Sequence, residues 1–158
     1  MHTMADKDML YDIGSRCLAV RTISAARAIT RSFDECFRPV DLTTTQFSLL
    51  ASIGGLHPES ITELADQLSL DRTSATRNLR LLEKAGLVQR SDEGAARKRS
   101  IELTEDGWRR LREAYPLWKK FQKQLEKALD DELDATKSAL SVLRRHKAIL
   151  EKSESKRL

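Results

Sequence analysis

The chain has 158 residues, 40% of them hydrophobic and 33% charged, a length that suits one domain and a composition that excludes a disordered or fibrous protein. A net charge of +4 and a pI near 9.2 favour an anionic partner. No apolar run approaches the roughly 20 residues that span a bilayer, and the acids within Met1 to Leu10 leave no signal core, so a cytoplasmic protein with no membrane partner is expected.

Leu10, Ile13, Cys17, Val20, Ile23, Ala26, Ile29, Phe33 and Phe37 recur at three- and four-residue intervals, which predicts one long amphipathic helix that Pro39 ends. Thr43 and Gln46 have capping-box spacing, and Phe47, Leu50 and Ile53 supply the apolar face of a short second helix stopped by Gly54 and Gly55. Ser60 and Glu63 repeat that spacing ahead of Ile61, Leu64, Ala65 and Leu68, with a break at Ser69. Asp71 then caps a further helix, apolar at Ala75, Leu79 and Leu82 and closed by Gly86. Two short helices across a tight break, the second strongly basic, form a helix-turn-helix pattern.

Leu87 to Ser91 and Arg99 to Leu103 read as short strands, the second with Ile101 and Leu103 inward and Ser100 and Glu102 outward, joined by a segment containing Gly94 and ending in basic residues. This is a β-hairpin wing. Thr104 caps a long helix with Trp108, Leu111, Tyr115, Trp118, Gln122 and Leu125 on one face and a kink expected at Pro116. Asp130, Asp131 and Asp134 punctuate the next break, and a last helix carries Leu133, Leu140, Leu143 and Leu150. The fold class is therefore mainly α with a small β-hairpin wing.

Charge placement carries the functional reading. Arg72, Arg77, Arg80, Lys84, Arg90, Arg97, Lys98 and Arg99 cluster in the segment from 72 to 99, opposed there only by Glu83, Asp92 and Glu93. Such a cluster suits phosphate neutralisation with counterion release. On the basic helix, Thr73, Thr76, Arg77, Arg80 and Lys84 fall on the side away from Ala75, Leu79 and Leu82, so they project together. A helix in the major groove needs such a face, with Arg for guanine edges or phosphates and small hydroxyl residues for close approach.

At this point the chain resembles the multiple antibiotic resistance regulator (MarR) family of winged-helix transcription factors, from about Asp12 to Leu150. The marks are Phe37-Arg38-Pro39 with Leu42-Thr43 and Gln46-Phe47, then Ile61 to Ala65, Arg72 to Leu79, Glu83 to Val88, and Leu103 to Gly107. The resemblance implies a homodimer built from the first and last helices, bound to a pseudo-palindromic operator in double-stranded DNA. Each basic helix would enter a major groove, with Arg72, Thr73, Ser74, Thr76, Arg77, Arg80 and Lys84 at the DNA, and each wing a minor groove, with Arg97, Lys98 and Arg99. It also implies a repressor released by a small-molecule effector of unknown identity. The wing departs from the family's usual Asp-Arg-Arg, with Ala95-Ala96-Arg97 in its place.

The expected organisation is thus a single domain 1–158: dimerisation helices at 10–38 and 131–151, a winged helix-turn-helix at 43–103, and a long connecting helix at 104–129. Cys17, flanked by Arg16 and Arg21, raises a redox-responsive regulator as an alternative, although a small apolar residue also fits its stripe. Trp108, Tyr115 and Trp118 suit either an aromatic-walled effector pocket or helix packing. Cys17, Cys36, His2, His57 and His146 are scattered, so no metal site is expected. No nucleophile, base and oxyanion donor fall together and no phosphate-binding glycine loop occurs, so no catalytic residue, cofactor or enzymatic activity is expected. A helical interaction protein that binds no DNA is the remaining alternative.

Overall fold

The computed structural model describes residues 3–91 and 100–145. The helices are α1 (Met4–Arg16), α2 (Leu18–Phe37), α3 (Thr44–Leu56), α4 (Ile61–Leu68), α5 (Arg72–Lys84), α6 (Glu105–Leu129) and α7 (Leu133–Arg144). Strands β1 (Val88–Ser91) and β2 (Ser100–Leu103) lie between α5 and α6. They pair antiparallel with Val88 opposite Leu103 and Ser91 opposite Ser100. The chain divides into two compact units, Met1–Trp118 and Lys119–Leu158, and α6 runs through the division.

The first unit holds the core. Phe37, Leu42, Leu49, Leu50, Ile53, Leu64, Leu79, Leu82, Leu87, Val88, Ile101, Leu103 and Ala114 form one buried cluster. Phe37 stacks on Phe47 with ring centroids 4.4 Å apart. Asp34 Oδ1 ties α2 to the start of α3 by accepting from both the backbone N–H and the hydroxyl of Thr44, each at 2.6 Å. The Cys36 thiol donates to Leu117 O at 3.3 Å and Arg110 Nη1 donates to Val40 O at 2.7 Å, which binds α6 to the end of α2 and to the 3-10 turn Arg38–Val40 that follows it. The second unit contains the rest of α6, a 3-10 turn at Asp130–Glu132, and α7, which has no buried residue.

Three local expectations are corrected. The first helix is not continuous: Cys17 has ψ 105°, splitting it into α1 and α2. Gly14, about 1 kcal/mol poorer than Ala in a helix, weakens the preceding turn. The Arg21 guanidinium donates to Ser15 O at 2.8 Å, satisfying a carbonyl at the break. Gly54 and Gly55 do not stop α3, which runs on to Leu56 and ends at left-handed His57. Gly54 is a spacer instead: a Cβ there would lie 2.9 Å from both Leu103 Cδ1 and Trp108 Cη2. Finally, Ser60 caps α4 by accepting from Glu63 N–H at 3.1 Å, but Glu63 reaches back to Glu59 N–H rather than to Ser60. The capping box at Thr43 and Gln46 forms with both of its bonds.

Candidate nucleic-acid interface

Helix α5 is fixed at both ends before its surface chemistry matters. Asp71 Oδ1 accepts from Ser74 N–H at 2.8 Å. The side chain and then the backbone N–H of Ser74 hold the Asp71 carboxyl below the ordinary carboxylate range. At the other end Gly86 takes φ +70°, Gly86 N–H donates to Glu83 O at 2.9 Å, and Leu87 N–H donates to Leu82 O at 3.0 Å. Only a residue without Cβ adopts that backbone freely, so Gly86 sets the register at which the wing starts.

Between these caps, Ala75, Leu79 and Leu82 are buried, and the opposite side presents Arg72, Thr73, Arg77, Arg80 and Lys84 to solvent. Arg72, Thr73, Thr76, Arg77 and Arg80 line an open concavity of about 530 Å³ together with Leu81. Among the described residues, no ion pair engages Arg72, Arg77, Arg80 or Lys84. A helix face holding four guanidinium or ammonium groups without carboxylate partners among the described residues is chemically set to receive an anion.

The two other polar positions are half-buried and already engaged. Ser74 serves the Asp71 cap, and the Thr76 hydroxyl donates to Arg72 O at 2.7 Å, which leaves its oxygen able to accept. Arg90, counted with the cations in the sequence, donates from Nε to Glu83 Oε1 and so fastens β1 to the end of α5.

The wing base is bonded as tightly. Thr104 Oγ1 donates to Gly86 O at 2.6 Å and accepts from Gly107 N–H at 3.0 Å, joining the end of α5 to the start of α6. Val88, Ile101 and Leu103 turn into the core while Gln89 and Glu102 face out. Arg97, Lys98 and Arg99 lie outside the described residues, as do His146 and Leu150.

The remaining candidates fall elsewhere. Cys17 is half-buried at the break between α1 and α2, and Cys36 is half-buried with its thiol on Leu117 O. Trp118 packs on the core, Tyr115 stacks on it at 5.7 Å with half its surface exposed, and Trp108 lies against Gly54. Among the described residues no group of His, Cys, Asp and Glu side chains is arranged to hold a metal. None of the described helices is long and apolar enough to cross a membrane. Leu81 was missed from sequence. Its signal lies in Leu79, Leu81 and Leu82, of which only the first and last fit the stripe begun by Ala75.

Two capped helices, a basic outward face on the second, and a short antiparallel wing define a winged-helix DNA-binding transcriptional regulator. Residues 42–95 match the profile of the MarR family. A Bacillus cereus HTH-type transcriptional regulator is 31% identical over 103 residues, spanning 65% of this chain and 69% of that protein. Among solved structures, the M. tuberculosis transcriptional regulator MosR in complex with DNA is 33% identical with a TM-score of 0.72, over 90% of this chain and all of that one. The transcriptional repressor CouR bound to a 23-mer DNA duplex is 29% identical with a TM-score of 0.74, over 84% of this chain and 96% of that one, and CouR is also known bound to p-coumaroyl-CoA. The chain belongs to the MarR family of transcriptional regulators.

Proposed function

We infer that the protein is a cytoplasmic homodimeric repressor that occupies a pseudo-palindromic operator and leaves it when a small-molecule effector binds. The observation that carries this reading is the α5 face: exposed Arg72, Thr73, Arg77, Arg80 and Lys84 on a helix capped at both ends. Arg77 and Arg80 read base edges from that face, Thr73 and Thr76 permit close approach, Ser74 holds the helix start, and Arg72 and Lys84 contact phosphates. Arg97, Lys98 and Arg99 in the wing add a cationic clamp on the minor groove. Residues 43–103 form the DNA-binding part, 104–129 the connecting helix, and 10–38 with 131–151 the dimer helices, all serving one functional domain.

MosR and CouR, both similar to this chain, are seen on DNA, and CouR is seen with an acyl-CoA, which supports duplex DNA as the partner and a small organic molecule as the effector. Trp108, Tyr115 and Trp118 offer aromatic surface for such an effector. Selection of bound fragments from genomic DNA, followed by affinity measurements over a salt series, tests the reading. Arg77→Ala is expected to weaken operator binding by about 1 to 3 kcal/mol and to relax preference at one position. No salt-dependent binding to any duplex would overturn it.

A further inference from the structure

The α5 surface has one feature that cation chemistry does not explain. Leu79 and Leu82 are 0% and 1% exposed, whereas Leu81 is 46% exposed and lines the same concavity as Arg72, Arg77 and Arg80. A leucine left in water among arginines gives up the burial that makes leucine favourable. A partner that is both anionic and locally apolar would meet these cations and cover the leucine together. Duplex DNA offers one such group at the floor of the major groove, the 5-methyl of thymine.

We propose that Leu81 is a specificity-determining residue that reads a thymine methyl in each operator half-site. The inference rests on the DNA-binding reading of α5 given above. Leu81 follows Arg77 by four residues, about 6 Å along the axis at about 1.5 Å per residue, against about 3.4 Å between stacked base pairs. The thymine therefore lies one or two base pairs from the position that Arg77 reads. Thr76 also carries a methyl, but it stands on the other flank of the exposed face and its hydroxyl is tied to Arg72 O. The two methyl contacts are consequently separable by mutation.

The test begins with the full-length protein and a pool of random-sequence duplexes, from which it selects its own site. In that site each thymine is then replaced singly by deoxyuridine, which removes only the methyl. Loss of one buried methyl is expected to weaken wild-type binding about fourfold at one thymine per half-site. The same replacement should cost Leu81→Ala nothing, while Thr76→Ser keeps the full fourfold sensitivity. Leu81→Met, which retains an apolar tip, should keep most of it. If no deoxyuridine weakens wild-type binding by as much as twofold, the inference is overturned without recourse to any variant. An equal loss in wild type and Leu81→Ala overturns it as well, and in both cases the DNA-binding reading stands. A pool that yields no bound duplex overturns both.

Discussion

Gly107 is where the helix that leaves the wing meets Leu87, the residue that leads into β1. It lies in the first turn of α6 and is buried, and a Cβ built on it would collide with the carbonyl oxygen of Leu87 while lying 3.1 Å from Leu87 C and 3.4 Å from Leu103 Cβ. The obstruction is backbone, so no side-chain rotation relieves it. Gly107→Ala must therefore push α6 away from the wing base. Overpacking of this kind costs about 1 to 3 kcal/mol. The displaced oxygen also accepts Thr104 N–H at 3.1 Å, a bond whose loss adds about 1 kcal/mol. The preference of helices for alanine returns up to about 1 kcal/mol. A net loss of about 2 kcal/mol corresponds to a fall of about 1 M in the urea midpoint. Gly14→Ala is the control, because nothing lies within 4 Å of a Cβ at that helical position, and it should raise stability. Because Gly86 O and Thr104 Oγ1 bond across the same joint, operator affinity should fall along with stability. If Gly107→Ala is as stable as wild type, α6 and the wing base do not approach so closely and the joint is not held this way.

Asp34→Ala removes the acceptor of two Thr44 donors at 2.6 Å and should cost about 2 kcal/mol by denaturant titration, with less than additive loss when combined with Thr44→Val. The Asp71 carboxyl is held below its ordinary value of 3.8, so its contribution to stability is present above that value and disappears as pH falls through the lower folded value. Thermal melts of wild type and Asp71→Ala should differ at neutral pH and converge in strong acid. A constant difference down to the lowest pH would remove the charged cap. Replacing Arg97, Lys98 and Arg99 together by Ala should flatten the dependence of log affinity on log salt, by roughly one ion for each phosphate no longer neutralised, whereas an unchanged slope would take the wing off the DNA.

Local signals made most of α3, α4, α5 and the hairpin readable from residue order alone. Thr43, Ser60, Asp71 and Thr104 each cap a helix with the side chain, because an oxygen at that position meets the free N–H groups of the first turn whatever the tertiary context. The failures share the opposite character. Gly54 serves as a spacer under Trp108 and Leu103, residues more than forty positions away, so its helical conformation was not visible in the local dipeptide with Gly55. The break at Cys17 interrupts an apolar periodicity that continues on both sides of it, and periodicity alone cannot register a single extended residue. Within the site, the outward set Thr73, Arg77, Arg80 and Lys84 was legible because it is the complement of a buried stripe. Leu81 belongs to neither set, because it lies off the stripe of Ala75, Leu79 and Leu82 and carries no charge or hydroxyl that would place it with the polar face.

The distribution of burial argues that α1, most of α2 and α7 do not persist in an isolated copy. α1, α2 and α7 contain a single buried residue among them, Phe37 at the very end of α2. Leu10, Ile13, Leu18, Val20 and Ile23 in the first unit and Leu140 and Val142 in the second are each 46% exposed or more. Helices of this length are marginal in water and owe their persistence to a covered apolar face. The winged-helix core takes only the end of α2 from among them, where Phe37 joins the cluster and Phe33 packs on it. On the proposed reading of these segments as dimer helices, a second copy would cover their apolar faces through two-fold symmetry. Folding of these helices is then linked to protomer concentration, so their stability should rise with it while that of the core cluster changes less. Deletion of residues 134–158 should yield monomer or aggregate with reduced operator affinity. Hydrogen exchange across a dilution series offers the sharper measurement: amides of α1, α2 and α7 should lose protection on dilution before those of α3 to α5. Uniform loss along the chain, or no dependence on concentration in a protein that sediments as a monomer, would refute the argument.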